Sequence, residues 1–400
     1  MSRRRRSLVR VTPARRADHA FFASAAAALL VLILFGALQR RLEMIGHDDL
    51  SRIWAGPRAV LIGADPYDPA SWAATTRALG TLTPDTPVYI YPPWVTLVLV
   101  PLAALPLNVA SMAWLVGSIA AGLAGLRLLL RAHLPGRPLA HALGPAMLLL
   151  SWVGALSLVI GQWGLVLVGA LSAATVWLGA HPRRAGAAAA TLIVKPQLFI
   201  LAGPALAIHA LWVVAGRVPR TGVRFVATAL ALTTGLVAVA WIVIPSWWPT
   251  WLVRIGGVQL GPDSDTIPGL LFALAGPAGP AFAPVIVVPL IGLGLAFHPR
   301  SAGWLPVWLT LSLIVAPYTN SYDQILLIVP IVMAAGVAAR RSAPASRLVL
   351  ALGAVILIVM TPAMYEVAVR RHSETLGVLV PLVVFAVIVV TLWPQRRSLP

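Results

Sequence analysis

The chain has 400 residues, of which 59% are hydrophobic and only 10% charged; that is too apolar for an ordinary soluble domain and points to an integral membrane protein. A net charge of +18 invites a nucleic-acid reading, but the arginines punctuate hydrophobic runs and no basic stripe interleaves with aromatics, so no nucleic-acid partner is expected and their task is to set topology. The absence of cysteine excludes disulfides and thiolate metal sites.

Residues 1–19 form a basic cytoplasmic N-terminus with seven arginines (Arg3 to Arg6, Arg10, Arg15 and Arg16). Residues 20–38 carry no charge and suffice to cross a ~30 Å hydrocarbon core, and no small-residue cleavage site follows, so they read as an uncleaved signal anchor. Residues 40–92 then interrupt the hydrophobic pattern and hold Glu43, Asp48, Asp49, Asp65, Asp68 and Asp85, half of the chain's 12 acids. Carboxylates concentrated beside a membrane surface raise the expectation of chemistry or ion handling. Asp48-Asp49, about ten residues after the membrane exit, offers either a general base for an acceptor hydroxyl or a loop pair capping a helix. Asp65-Pro66-Tyr67-Asp68 reads as turn chemistry, and the lone nearby His47 supports no metal site.

Residues 93–106 are apolar but short and carry Pro101 and Pro106, which predicts a juxtamembrane or re-entrant helix. With 20–38, the further predicted spans are about 108–130, 139–160, 163–180, 186–196, 198–215, 225–244, 281–297, 302–318, 323–339, 347–364 and 376–393. Gln162 sits at the junction of two of them. Lys195 is the chain's single lysine, set among apolar residues in Thr191-Leu-Ile-Val-Lys-Pro-Gln197. Pro196 predicts two short helices meeting there, and the ammonium either snorkels to the interface or captures a lipid phosphate. Residues 245–280 form a second predicted outer loop, where Trp247, Trp248 and Trp251 suit an interfacial belt and Asp263-Ser-Asp265 reads as a turn rather than a metal–nucleotide-sugar motif. Asp323 follows Tyr322 at the head of another span.

Counting charges tests this layout. It places 21 arginines and one acid, Asp18, inside, and eight arginines, Lys195 and eleven acids outside, the expected positive-inside bias. The result is an all-α polytopic protein with about twelve membrane helices, both termini inside, forming one integral domain over residues 1–400. Asp49, Gln162, Lys195 and Asp323 all fall at outer ends of their elements, the pattern of a site rather than of scattered caps. A secondary transporter or lipid flippase is the rival reading, but no inverted repeat is visible and the polar residues avoid the bilayer midplane.

The order of several short motifs carries a family resemblance. Asp49-Leu50 and Trp54-Ala55 precede Gly63-Ala-Asp-Pro-Tyr-Asp68, Tyr91-Pro-Pro93, Pro101-Leu-Ala-Ala-Leu-Pro106 and Trp114. Gly161-Gln162, Ile193-Val-Lys-Pro196, Trp248 to Trp251 and Tyr322-Asp-Gln-Ile-Leu-Leu-Ile-Val-Pro330 follow. From about residue 20 to 335 this resembles the family-87 glycosyltransferases, GT-C-class membrane enzymes that include the actinobacterial polyprenyl-phosphomannose-dependent mannosyltransferases, while the last two spans add hydrophobicity only. The resemblance implies a GT-C-like fold with a large first outer loop and a sugar donor carried on polyprenyl phosphate. It implies transfer to a lipid-linked or cell-envelope glycan outside the bacterial cytoplasmic membrane, among membrane lipids and with no cofactor. It assigns the catalytic base to Asp49 rather than Asp48. The isolated setting of Lys195 suggests donor-phosphate binding, and Asp48, Tyr91, Gln162, Tyr322 and Asp323 are the expected substrate contacts. Related mannosyltransferases carry a histidine near the Asp323 position and an asparagine after the Gly-Gln-x pattern; here those positions read Asp323-Gln324 and Gly164. Arabinofuranose or another hexose therefore stands beside mannose.

Overall fold

The computed structural model describes residues 12–81, 89–214, 219–244, 249–253 and 264–396. Asp85, Trp247, Trp248, Arg254, Asp263 and the arginines before residue 12 lie outside the described residues. Every regular element among the described residues is helical. Seven helices are long and apolar enough to cross a membrane: Pro13–Leu34, Leu107–His133, Arg220–Val243, Ile267–Leu295, Ser321–Ala339, Ala343–Arg371 and Thr375–Gln395. An eighth crossing arises if Pro138–Leu149 and Trp152–Val159, bent by 47° between them, count as one span.

The expected twelve crossings are therefore not reproduced by length. Residues predicted to span at 163–180, 198–215 and 302–318 form the shorter helices Gly164–Trp177, Ala202–Trp212 and Trp304–Val315. At 1.5 Å per residue the longest of these reaches only about 21 Å. Burial explains how short helices survive at membrane depth: irregular backbone is tolerated where protein rather than lipid surrounds it. Trp304–Val315 is buried at all but its last residue, and Ser321–Ala339 is almost wholly enclosed. Conversely, few residues of Arg220–Val243 and Ile267–Leu295 are fully buried in the bundle, as expected of lipid-facing helices. Helical structure also occupies residues 249–253 and resumes at Ile267, inside the stretch 245–280 that the sequence assigns to a loop.

The first polar interruption is itself folded. Residues 40–92 contain the helices Asp49–Leu61 and Pro69–Ala78, and the first packs on the predicted juxtamembrane helix Pro93–Ala103. Asp68 caps the second helix by accepting from the Ser71 amide at 2.7 Å, and Asp65 accepts from the Tyr67 amide at 2.8 Å, the turn roles expected of them.

Leu107–His133 gives the bundle two ends. Its 27 residues span about 40 Å. Near one end Arg131 and Arg127 hold Asp18 at 2.5 Å and 3.4 Å. Near the other, Ser111 accepts from Arg41 at 2.5 Å, and the Trp114 indole donates to the Gly161 carbonyl at 2.9 Å. The arginine-rich end and the acidic-loop end thus lie on opposite sides of the bundle.

Candidate active site

Asp49 is the first residue of its helix, and the chain before it fixes where that helix begins. Asp48 is the N-cap: its Oδ1 accepts from the Ser51 amide at 2.7 Å. Its other oxygen meets Arg41 in an ion pair with both side chains 1% exposed. The next residue ties this helix to the rest of the bundle, because the Leu50 amide donates to the Ile160 carbonyl at 3.1 Å. Ile160 leads into a turn at Gly161, whose φ of 72° lies in the left-handed region that suits glycine. A β-carbon at Gly161 would also sit 2.5 Å from Leu50 Cβ, so glycine lets the two segments touch. Gln162 follows, and its Nε2 donates to Asp49 Oδ2 at 2.6 Å and to the Tyr91 hydroxyl at 3.4 Å.

Lys195 arrives from elsewhere in the chain. It joins two single-turn 3₁₀ segments, Leu192–Val194 and Pro196–Phe199, because Pro196 removes an amide donor and breaks the continuous helix. Its ammonium donates to Asp323 Oδ1 at 2.7 Å and lies 4.6 Å from the centre of the Tyr322 ring. Asp323 is held in turn: the Asn320 amide donates to its Oδ2 at 3.3 Å, half of a capping box. The Asn320 side-chain amide donates to the hydroxyls of Tyr318, at 2.9 Å, and Tyr322.

Asp49, Tyr91, Gln162, Lys195 and Tyr322 line one cavity of about 520 Å³, within the range of small-molecule sites. Asp323, 1% exposed, stands behind Lys195 rather than in the wall. Asp48 does not join them. Its carboxylate is consumed by the cap and by Arg41, so the substrate contact expected of it is replaced by a positioning role one residue before Asp49. Asp48→Asn should keep the cap, since Asn and Asp cap about equally, but strand the buried Arg41 charge. A loss of about 3–5 kcal/mol is expected, read as a lower unfolding temperature in detergent; an unchanged midpoint would refute the pairing.

The cavity also gathers residues that the sequence did not single out as substrate contacts. Arg52 Nη1 lies 3.7 Å from Asp49 Oδ1, adding a second cation to the wall. Tyr318, Asn320 and Trp251 contribute further surface, and the Trp251 indole donates to the Ile90 carbonyl at 3.3 Å. Glu374, in the link between the last two predicted spans, lines the same cavity and accepts from the Ser321 amide at 3.0 Å. Burial, with the Asp49 charge close by, raises the Tyr91 phenol well above its usual value. It is a neutral hydrogen-bonding group at physiological pH.

Asp265 has a structural place. Its backbone amide donates to Thr319 and its Oδ2 accepts from Gln324 Nε2 at 2.8 Å. Burial first, then the charges of Glu374 and Asp323, push its carboxyl well above the ordinary range. A raised folded-state value means that the folded form holds a proton the unfolded form has released. The associated stability is complete below an unfolded value of about 3.9 and is lost as pH rises through the folded value. Asp265→Asn should flatten this decline and raise the unfolding temperature at neutral pH relative to acid, as thermal unfolding across pH 4–8 would measure. A wild-type midpoint that rises across that interval, and to the same extent in the variant, would contradict it.

A sequence model of the family described as glycosyltransferase family 87 matches residues 89–362, more than half of the chain. That interval contains Tyr91, Gln162, Lys195, Tyr322 and Asp323, while Asp49, Arg52 and Glu374 lie on either side of it. No curated protein and no solved structure matches the chain.

Proposed function

The chain belongs to glycosyltransferase family 87, and from that premise we propose that this membrane glycosyltransferase moves a sugar from a polyprenyl-phosphate donor to a lipid-linked or cell-envelope glycan. The observation carrying the proposal is the 520 Å³ cavity that has the Asp49 carboxylate in its wall together with the cations Lys195 and Arg52. A transfer of this kind needs a base for the acceptor hydroxyl and a positive charge for a departing phosphate, and both are present.

In the proposed reaction an acceptor oxygen forms a bond to the anomeric carbon and gives its proton to the Asp49 carboxylate. The bond between that carbon and the phosphate oxygen breaks, and its electron pair leaves with the polyprenyl phosphate. Direct displacement inverts the anomeric centre. Gln162 fixes the base through the 2.6 Å bond from its amide nitrogen. Lys195 faces the phosphate and the growing negative charge on it, since an ammonium serves well as a point-charge phosphate ligand. Mannose is the sugar of first choice from the family resemblance. The reaction is assigned to the outer face of the bacterial cytoplasmic membrane, because the cavity is lined by Asp49 and Arg52, from the acidic-loop end opposite the arginine-rich one.

The test uses purified full-length protein in detergent with synthetic short-chain polyprenyl-phosphate hexoses and a hydroxyl-bearing lipid glycan. Release of free polyprenyl phosphate together with a lengthened glycan is the expected result. A donor that stays intact in detergent, yet is moved across vesicles by the reconstituted protein, would instead mark a transporter.

A further inference from the structure

A second cavity, of about 350 Å³, lies away from the active site and is lined by Ala180, His181, Pro182, Arg183, Arg184 and Arg224. It forms where the helix Pro182–Thr191 meets the helix Pro219–Val243. The two backbones come very close: a β-carbon at Gly186 would sit 2.5 Å from the Phe225 carbonyl oxygen. That glycine-mediated approach brings Arg224 beside Arg183 and Arg184. Among the described residues no carboxylate pairs with any of the three, and no acid occupies the first turn of Pro182–Thr191. All three are solvent-exposed, so water and salt screen much of their mutual repulsion, and an anion held among them relieves the rest.

The surroundings specify the kind of anion. Arg224 belongs to a helix of which few residues are fully buried in the bundle; its neighbour Val223 and, two turns on, Leu230 are more than half exposed. The arginines therefore border the place where an acyl-chain-facing surface begins, which is headgroup depth. The cavity also sits at the far end of the 182–194 segment from Lys195, on the arginine-rich side of the bundle. The helix there begins at Pro182, and its N-cap residue His181 makes no side-chain cap, so the amides that follow Pro182 add to the positive potential.

We infer that this cavity binds the phosphate of an anionic phospholipid headgroup, with the acyl chains lying along the exposed face of Arg220–Val243. Guanidinium forks suit phosphate oxygens bidentately. The site makes no use of the transfer chemistry and stands whether or not the donor assignment does.

The experiment titrates purified, delipidated full-length protein with phosphatidylglycerol, with phosphatidylcholine of the same chain length, and with inorganic phosphate. Bound lipid is counted by native mass spectrometry. Phosphatidylglycerol should bind one copy in preference to phosphatidylcholine, and Arg224→Gln or Arg183→Gln with Arg184→Gln should weaken that copy at least tenfold. Arg220→Gln, an exposed arginine outside the cavity lining, should leave it unchanged, and size-exclusion profiles report whether each variant is folded. Equal retention of both lipids, an Arg220→Gln loss matching that of Arg224→Gln, or displacement by equimolar inorganic phosphate would each overturn the inference. Should a variant fail to fold, the wild-type comparison of the two lipids and phosphate still decides it.

Discussion

Asp49→Asn is expected to abolish detectable sugar transfer while the protein folds and inserts as before. A placed base contributes about 10²–10⁴-fold in rate, and the asparagine side chain has no proton affinity to replace it. Its carbonyl can still accept from Gln162 Nε2, now 2.6 Å from the carboxylate, so the wall should stay assembled. The contrast with the preceding residue sharpens the test, because Asp48→Asn strands Arg41 and loses stability. Activity and unfolding temperature measured on both variants should therefore separate: Asp49→Asn inactive with a wild-type midpoint, Asp48→Asn with a lowered midpoint. Near-normal turnover in Asp49→Asn would sink the assignment of the base.

The membrane character of the chain was legible because uncharged windows of twenty residues have few alternatives in water. The number of crossings was not. Counting apolar runs assumes that every run meets lipid, whereas Trp304–Val315 and Ser321–Ala339 are enclosed by other helices. A helix whose neighbours are protein can be short, bent or 3₁₀ at its ends without exposing backbone to hydrocarbon. The break at Lys195-Pro196 was readable in advance, since proline forbids the continuous helix and the charge needs a partner. The merging of Gly276–Phe282 into one long apolar stretch with its flanking helices was hidden by the same glycines and prolines, which suggest a loop.

The site divides in a similar way. Asp49, Gln162, Lys195 and Asp323 stood out because polar groups among apolar residues must find partners. Which partner each would find is a tertiary fact: nothing in the spacing says that Gln162 reaches Asp49 or that Lys195 reaches Asp323 across 128 residues. Asp48 and Asp49 look alike in sequence, and only the buried position of Arg41 separates a structural carboxylate from one facing the cavity. Glu374 went unread because it follows Arg370, Arg371, His372 and Ser373, a polar cluster that any interfacial turn would show. Its bond to the Ser321 amide ties the end of the chain to the wall that carries Tyr322.

Lys195 presents the harder case, because its ammonium already has an ionic partner. The 2.7 Å bond to Asp323 uses one of its three donors, which leaves two for a ligand in the cavity. If the lysine serves the donor, Lys195→Met should lower donor turnover by roughly ten- to a hundredfold, given about 1.5–3 kcal/mol for a charge-assisted bond. The same change strands the Asp323 carboxylate, 1% exposed, and removing one partner of a buried pair typically costs about 3–5 kcal/mol of stability. A loss of activity by itself would therefore not separate the two roles. The double variant Lys195→Met with Asp323→Asn does, because it removes the stranded charge along with the ammonium. Its unfolding temperature should recover most of the way toward wild type, while donor turnover stays as low as in Lys195→Met. Lys195→Arg should restore turnover only in part, since a planar fork presents its charge differently from an ammonium. Recovery of turnover together with stability in the double variant would reduce Lys195 to a structural partner of Asp323 and move the phosphate contact to Arg52, the other cation in the cavity wall.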